Sequence, residues 1–476
     1  MTFTKHLKLT RPLIALTFVA VGFAMPRVAT AETLADALVS AYNHSGLLEQ
    51  NRAVLRAADE DVAIVGATLK PVLSWSAALA QSFGTTSTSL RGAAVTFSTE
   101  RLSMTISLIG QLLLYDFGAS QYRIEAAKET VLATRGTLLN IEQTILLRAV
   151  RAYMGVIEAS EFVALRKNNQ RLVTQELRAA RDRFEVGEVT RTDVALAEAQ
   201  LAQARSGLAG AEGDYLRAVE EFRNAVGRKP GRLSPPPRLP NVDGNVESAK
   251  ALAVRRHPLM NAAQHQVAAA ELLIKAGEAD MEPKVSLTGQ YGLTENFGSP
   301  DYNRAGSVGV ELSQTIYGGG RLSAQVRKSM AQRDAQRSNL YVVTLDIRQN
   351  VGNAYASLTS ARAVLEASER QIRAARIAFR GLREEATLGA RTTLEVLTAE
   401  QSLLDAESSQ VSARSSLYVA AYTVLASTGQ LTAQNLKLPV QIYDPVAYYD
   451  LVKDGPVKKS KQGRKLDRVL RALQKN

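Results

Sequence analysis

The sequence predicts a mixed α and β chain of two internal repeats, each a β-hairpin joined to one very long helix and a broken antiparallel partner. Three observations carry this prediction. Residues recur at a constant offset, as Tyr115 and Tyr317 do at 317 − 115 = 202. Each copy holds a pair of alternating apolar and polar segments, the period of two expected of strands. Each copy also holds about 65 consecutive residues without proline, Ser120 to Glu185 and Arg321 to Ala386. The chain has 476 residues, 46% hydrophobic and 22% charged, which excludes disorder and collagen-like repeats.

The N-terminal residues predict an export signal, residues 1–31. Lys5, Lys8 and Arg11 form a charged start, Leu13 to Met25 an apolar run, and Ala29-Thr30-Ala31 a small-residue cleavage site. The run is too short for a membrane helix, and nothing downstream reaches about 18 uninterrupted apolar residues. The formal charge of +12 belongs to the ends: +4 lies before Glu32 and +7 from Lys453 onward, leaving 12 − 4 − 7 = +1 for the body. That distribution removes the case for a nucleic-acid partner.

The repeat holds over many positions. Leu114-Tyr115-Asp116-Phe117-Gly118 lies over Ile316-Tyr317-Gly318-Gly319-Gly320, Ala152-Tyr153 over Ala354-Tyr355, and Gly187, Asp193, Glu198 and Gly227 over Gly389, Glu395, Glu400 and Gly429. Pro71 pairs with Pro283 at an offset of 212, so the first hairpin is ten residues longer. Domain organisation follows: residues 32–240 and 241–440 are the two repeats and 441–476 a basic tail. The hairpins span about 72–116 and 284–317. Leu73, Trp75, Leu79 and Phe83 alternate with serines, as do Leu102, Met104, Ile106 and Leu108. Val285, Leu287, Tyr291 and Leu293, then Val308, Val310 and Leu312, repeat the scheme. Loops are expected around 84–96 and 298–305. A half-buried soluble sheet would show the same alternation.

Each proline-free stretch, at 1.5 Å per residue, makes a helix about 100 Å long. Its apolar residues recur at three and four, as in Leu138, Ile141, Ile145, Val150, Tyr153 and Ile157, the stripe of a coiled coil. Thr192 to Val226 supplies only about 52 Å of return path, so Leu47 to Leu69 must stack on its end. Thr392 to Ser427 and Leu259 to Ala279 do the same in the second copy. Turns are expected at about 185–192 and 387–392. There Thr192 and Thr392 are placed to cap the returning helices, and Asp193 and Glu395 to complement the helix dipole. The Pro235-Pro236-Pro237 insert links the copies and should belt the middle of the helices.

A membrane-spanning sheet has no free edge and the smallest such barrels have about eight strands, so four strands per chain cannot close alone. Two chains reach that minimum, and three give twelve strands with a wider lumen. If the hairpins enter a membrane, the barrel is oligomeric, with Trp75, Tyr115, Tyr291, Tyr302 and Tyr317 near its interfaces.

Nothing points to an enzyme or a cofactor. With no cysteine there is no disulfide, thiolate metal site or cysteine nucleophile. His6, His44, His257 and His265 are scattered without a second ligand pair, and no G-x-S-x-G, H-E-x-x-H or P-loop occurs. Gly318-Gly319-Gly320 lacks the P-loop lysine and reads as a joint between strand and helix. The basic tail, with a helical tint through Leu466, Val469, Leu470 and Leu473, reads as solvated or disordered in the periplasm; its charge also leaves open contact with anionic lipid or with polyanionic cell wall.

In this order and with this duplication, the chain from residue 32 onward resembles the TolC family of outer-membrane efflux and secretion channels. The likeness is most specific at the turns, Phe184-Glu185-Val186-Gly187-Glu188-Val189-Thr190-Arg191-Thr192-Asp193-Val194 and Leu388-Gly389-Ala390-Arg391-Thr392-Thr393-Leu394-Glu395-Val396-Leu397. The resemblance implies a homotrimer whose twelve-strand barrel lies in the outer-membrane lipid, continued by a helical tunnel in the periplasm. It implies passive export in partnership with a periplasmic adaptor and an inner-membrane pump. By the same resemblance Arg391 matches a basic residue that latches the closed end onto Thr192 and Asp193 of a neighbouring tip. Glu395 and Thr398 match two inward-facing acidic positions, of which one acid is kept. Ala386 stands where the latch's aromatic partner would be. Val186, Gly187, Leu388 and Gly389 match the adaptor-docking turns. The readings that compete with a channel are a periplasmic adaptor, which needs one hairpin and a lipoyl-like domain, and a structural coiled coil, which needs no alternating strands.

Overall fold

The computed structural model describes residues 31–473 save Arg91, Asp243, Ser299 and Asp301. The expected export signal therefore lies outside the described residues, apart from Ala31. Two short helices, α1 (Leu34–His44) and α2 (Gly46–Gly66), lead through a 3₁₀ turn at Ala67–Leu69 into β1 (Val72–Leu90) and β2 (Ala93–Tyr115). Then come α3 (Ala119–Glu185) and α4 (Arg191–Val226), a linker, α5 (Val246–Arg256) and α6 (Pro258–Ala279). The second copy follows as β3 (Lys284–Phe297), β4 (Tyr302–Ser313), α7 (Arg321–Thr387) and α8 (Thr393–Ser427), and α9 (Pro445–Val452) and α10 (Lys461–Leu473) complete the chain.

The duplication is structural. Helices α3 and α7 are both 67 residues long, and the offset of 202 carries Ala119 onto Arg321 and Glu185 onto Thr387. Each begins after two left-handed residues, Phe117 and Gly118 in one copy and Gly319 and Gly320 in the other. The glycine run is thus a shaped joint that turns strand into helix, since left-handed backbone is open to glycine at no steric cost. In the first copy Asp116 does the same work with its side chain, accepting from the Ser120 amide at 2.8 Å and the Gly118 amide at 3.2 Å.

The return paths stack end to end as their lengths require. Helix α4 stops at Gly227, whose φ of +89° leaves it against the ring of His44, where α1 ends and α2 begins. Helix α8 runs out at Gly429, with φ of +77°, against His257 and Pro258 at the start of α6. A Cβ on Gly227 would lie 2.2 Å from the His44 ring, so only glycine fits this joint. Two of the scattered histidines therefore sit at the equivalent breaks of the two partner helices. The linker packs midway down α3, where the Tyr153 hydroxyl lies 3.0 Å from the Glu32 carbonyl and 2.7 Å from that of Ser234.

The four strands form one antiparallel sheet in the order β1-β2-β3-β4, leaving β1 and β4 as open edges. Two expectations are corrected here. Strands β1 and β2 stay paired through the expected loop at 84–96, out to Leu90 opposite Ala93, and β4 begins at Tyr302 inside the other expected loop. Runs of Ser and Thr read as loop, but backbone pairing accepts them where the surroundings are wet on both faces.

One face of the sheet is apolar and uncovered by the other described residues: Trp75 is 75% exposed, Phe83 83% and Val308 80%. The other face carries Ser74, Ser76, Ser103, Thr105, Thr288 and Thr294. The apolar band runs from Leu73 to Phe83 on β1 and from Tyr302 to Leu312 on β4, ten steps or about 33 Å on each. Tyr302 pairs with Glu295, Glu295 with Met104, and Met104 with Leu79, so the band's end on β4 lies 83 − 79 = 4 residues below its end on β1. Four residues over three strand spacings, about 13 Å across about 14 Å, is a tilt of about 40°. The band is then about 25 Å tall, the height and tilt of outer-membrane barrels. Among the described residues no helix is long and apolar enough to cross a membrane.

The basic side chains of the tail are exposed as expected, but the segment is folded rather than disordered. Tyr448 and Val452 of α9 and Leu466 of α10 form a small core of their own. Helix α9 is fastened to α2 by the Tyr448 hydroxyl, 2.8 Å from Glu60 Oε1. The helical tint of the tail is real, and its apolar stripe has a partner that the charge run concealed.

Candidate channel gate and docking tips

Far from the sheet, both long helices end in the same construction. At the end of α3 the Gly187 amide donates to the Phe184 carbonyl at 3.1 Å and the Glu188 amide to Arg183 at 2.9 Å. At the end of α7 the Gly389 amide donates to Ala386 at 3.2 Å and the Ala390 amide to Glu385 at 3.0 Å. Each is a Schellman turn, with φ of +79° at Gly187 and +75° at Gly389. The residue before each glycine is apolar and exposed, Val186 at 71% and Leu388 at 83%.

The returning helices start in capping boxes. Thr190, not Thr192, caps α4: its hydroxyl accepts from the Asp193 amide, and Asp193 Oδ2 accepts from the Thr190 amide at 2.9 Å. Thr392 caps α8 with Glu395 in the same way, at 2.8 Å. The capping role expected for Thr192 is therefore corrected. The repeat offset held the answer, because 190 + 202 = 392. Thr192 instead stands exposed on the first turn of α4, and Thr398 is exposed with its hydroxyl donating back to the Leu394 carbonyl at 2.8 Å. Hydrogen bonds from Thr190 hold the Asp193 carboxyl below its usual range, and those from Thr392, backbone first, do the same for Glu395.

Within one chain Arg391 and Asp193 do not meet. Arg391 Nε donates to Glu385 Oε2 at 2.8 Å and its Nη1 to Glu395 Oε1 at 3.1 Å. Glu385 was not singled out by sequence. An acid in the last turn of a helix opposes the dipole, and that conflict is the signal that it needs a cation. Asp193 spends only Oδ2 on its cap, and Arg391 spends only Nε and Nη1. Arg391 Nη2 and Asp193 Oδ1 thus face no partner in their own chain, among the described residues.

Above the tips the two helix pairs are joined through polar groups that spacing alone did not reveal. Asn169 Nδ2 of α3 donates to Glu400 Oε1 of α8 at 3.0 Å, and Arg383 of α7 pairs with Glu176 of α3 at 3.2 Å. Glu400 is 3% exposed, and this burial pushes its carboxyl up to about 7. Its place was legible: Val396 and Leu404, four residues either side, are buried on the same stripe. Leu397 completes the join, inserted among Val173, Leu177, Ala180, Ala197 and Leu201 of the first copy.

Comparison with known proteins agrees with this architecture. The family model described as outer membrane efflux protein matches residues 37–228 and 251–430. The outer membrane efflux protein BepC of Brucella suis is 35% identical over 431 residues, covering 90% of this chain and 92% of its own. The outer membrane protein TolC of Escherichia coli is 23% identical over 349 residues, 68% of this chain and 70% of its own. In fold, the chain resembles the outer membrane protein VceC of Vibrio cholerae, with a TM-score of 0.70 at 21% identity, over 83% of this chain and 96% of that one. The chain belongs to the outer membrane efflux protein family, the TolC-like channels of the bacterial outer membrane.

Proposed function

We propose that three copies of this chain close one twelve-strand barrel through the open edges of β1 and β4, and that their long helices continue it as an exit duct across the periplasm. The observation that carries this reading is the sheet itself. It has an uncovered apolar face of membrane height, a polar face suited to a water-filled lumen, and two edges that one chain leaves unpaired. Transport through such a duct is passive. The energy comes from an inner-membrane pump, joined by a periplasmic adaptor that grips the exposed Val186-Gly187 and Leu388-Gly389 turns.

The tips are the closed end. Arg391 reaches a neighbouring copy's Asp193 with its unused Nη2, meeting the unused Oδ1, so the latch forms while both capping boxes stay intact. Thr192 adds a hydroxyl beside it. Glu395 contributes one carboxylate per chain to the constriction and Thr398 a neutral hydroxyl, so the ring prefers cations without holding one strongly. The double variant Arg391→Ser with Asp193→Ala is expected to raise single-channel conductance in planar bilayers. Unchanged conductance would reject the latch.

A further inference from the structure

We propose that the folded C-terminal segment, residues 456–473, is a membrane-surface clamp that binds the phosphate groups of lipids in the leaflet facing the periplasm. The inference rests on the reading of the sheet as membrane-spanning. Position comes first. From Tyr448 at Glu60, the segment follows α2 towards the sheet until Gly455 lies against Ala63 and the Lys70 ammonium, which donates to the Asp454 carbonyl. Lys70 is three residues before Leu73, the first outward apolar side chain of β1, or about 10 Å of extended chain. The headgroup layer on each side of a bilayer is about 5–8 Å deep. The chain then reverses: Gln462 Nε2 donates to the Leu451 carbonyl at 3.2 Å, and Leu466 packs on Tyr448 and Val452. The turn between α9 and α10 is consequently presented at the rim of the membrane.

Chemistry comes second. Residues 456–473 carry seven Lys or Arg against one acid, Asp467, a net charge of +6. All seven basic side chains are exposed, and among the described residues none has a carboxylate partner. Elsewhere in this chain basic residues are repeatedly paired, as in Arg148 with Glu221, Arg337 with Glu271 and Arg376 with Glu407. At the turn itself Val457 is 72% exposed beside Lys458 and Lys459. An apolar residue followed by two lysines, held at headgroup depth, is the pattern of an interfacial anchor: the side chain enters the acyl boundary and the ammonium groups meet phosphate. The apolar face of α10 is already spent on α9, so the segment binds from its turn and its basic side and need not lie flat in the lipid.

The chain's composition makes the test clean, because it has one tryptophan, Trp75 on the outward face of β1, and no cysteine. Full-length Val457→Cys protein, labelled with an environment-sensitive fluorophore, would be reconstituted in brominated phosphatidylcholine vesicles with and without phosphatidylglycerol. Trp75 is expected to be quenched in both. The label is expected to be quenched and blue-shifted with phosphatidylglycerol present. That signal should fall several-fold in 1 M salt, where screening acts within about 3 Å, and in the Lys458→Glu, Lys459→Glu, Lys461→Glu variant. Quenched Trp75 with a label that stays in water overturns the clamp alone, as does pelleting with purified cell-wall sacculi without any vesicle response. An unquenched Trp75 overturns the barrel reading, and the clamp with it.

Discussion

The two ends of the long helices share one backbone design and differ in how their side chains are used. Arg181 and Glu198 of the first copy correspond, at the offset of 202, to Arg383 and Glu400 of the second. In the first copy they bond each other at 2.5 Å across an exposed face. In the second they are separated: Arg383 crosses to Glu176 and Glu400 to Asn169, both on α3. Likewise Leu397 is buried in the first copy's helices, whereas its counterpart Ala195 is exposed. The turn and cap are what the fold requires, since both copies keep them. The divergent residues are what lock one helix pair against the other.

The largest break in this comparison should come from Leu397→Ala, which removes a buried side chain from between the helix pairs. A local loss of about 2–5 kcal/mol is expected, read as faster amide exchange and easier proteolysis near both tips. Substitution of Ala195 by serine should change neither. Equal responses would show that the two positions are not distinguished by packing.

Glu400 sharpens the comparison through pH. Its carboxyl is raised by burial to about 7 from an ordinary 4.5, so the folded state holds the proton more tightly than the unfolded chain. Its favourable contribution is therefore complete below about pH 4.5 and is lost as pH rises through about 7, up to about 3 kcal/mol in all. Protection of the α8 amides, taken relative to their intrinsic base-catalysed exchange rate at each pH, should fall from pH 5 to pH 8, and Glu400→Gln should flatten that profile. Glu198→Gln should leave it unchanged, because the exposed pair carries little energy. A wild-type profile without slope would contradict the burial argument.

The smallest contrast is a predicted equality. Gly187→Ala and Gly389→Ala each force an L side chain into a left-handed turn, at a cost of about 1–2 kcal/mol. Thermal unfolding of the periplasmic part should fall by the same amount in both variants. A marked inequality would mean that one turn is supported by more than its backbone.

These contrasts also mark what could be read from the residues alone. Duplication, strand alternation and uninterrupted helix length are periodic signals, and the long helices and the hairpins were legible for that reason. Positions coded by a single local bond are readable in principle: the offset points to Thr190 as surely as to Thr392. Partners far apart in sequence were not readable. Nothing near Glu400 announces Asn169, 231 residues away, and nothing near Lys70 announces Asp454, 384 residues away. The Ser and Thr run at 85–89 misled for a different reason. Composition reports hydration, and a two-stranded ribbon wet on both faces has the composition of a loop.

In the proposed assembly several copies of the four-strand sheet share one closed barrel that leads into a duct narrowed at its far end. Planar-bilayer recording from the purified protein, with its mass in detergent determined on the same sample, tests this most directly. An assembly of three chains that passes small, cation-preferring currents is expected. A monodisperse single chain with no current would contradict it.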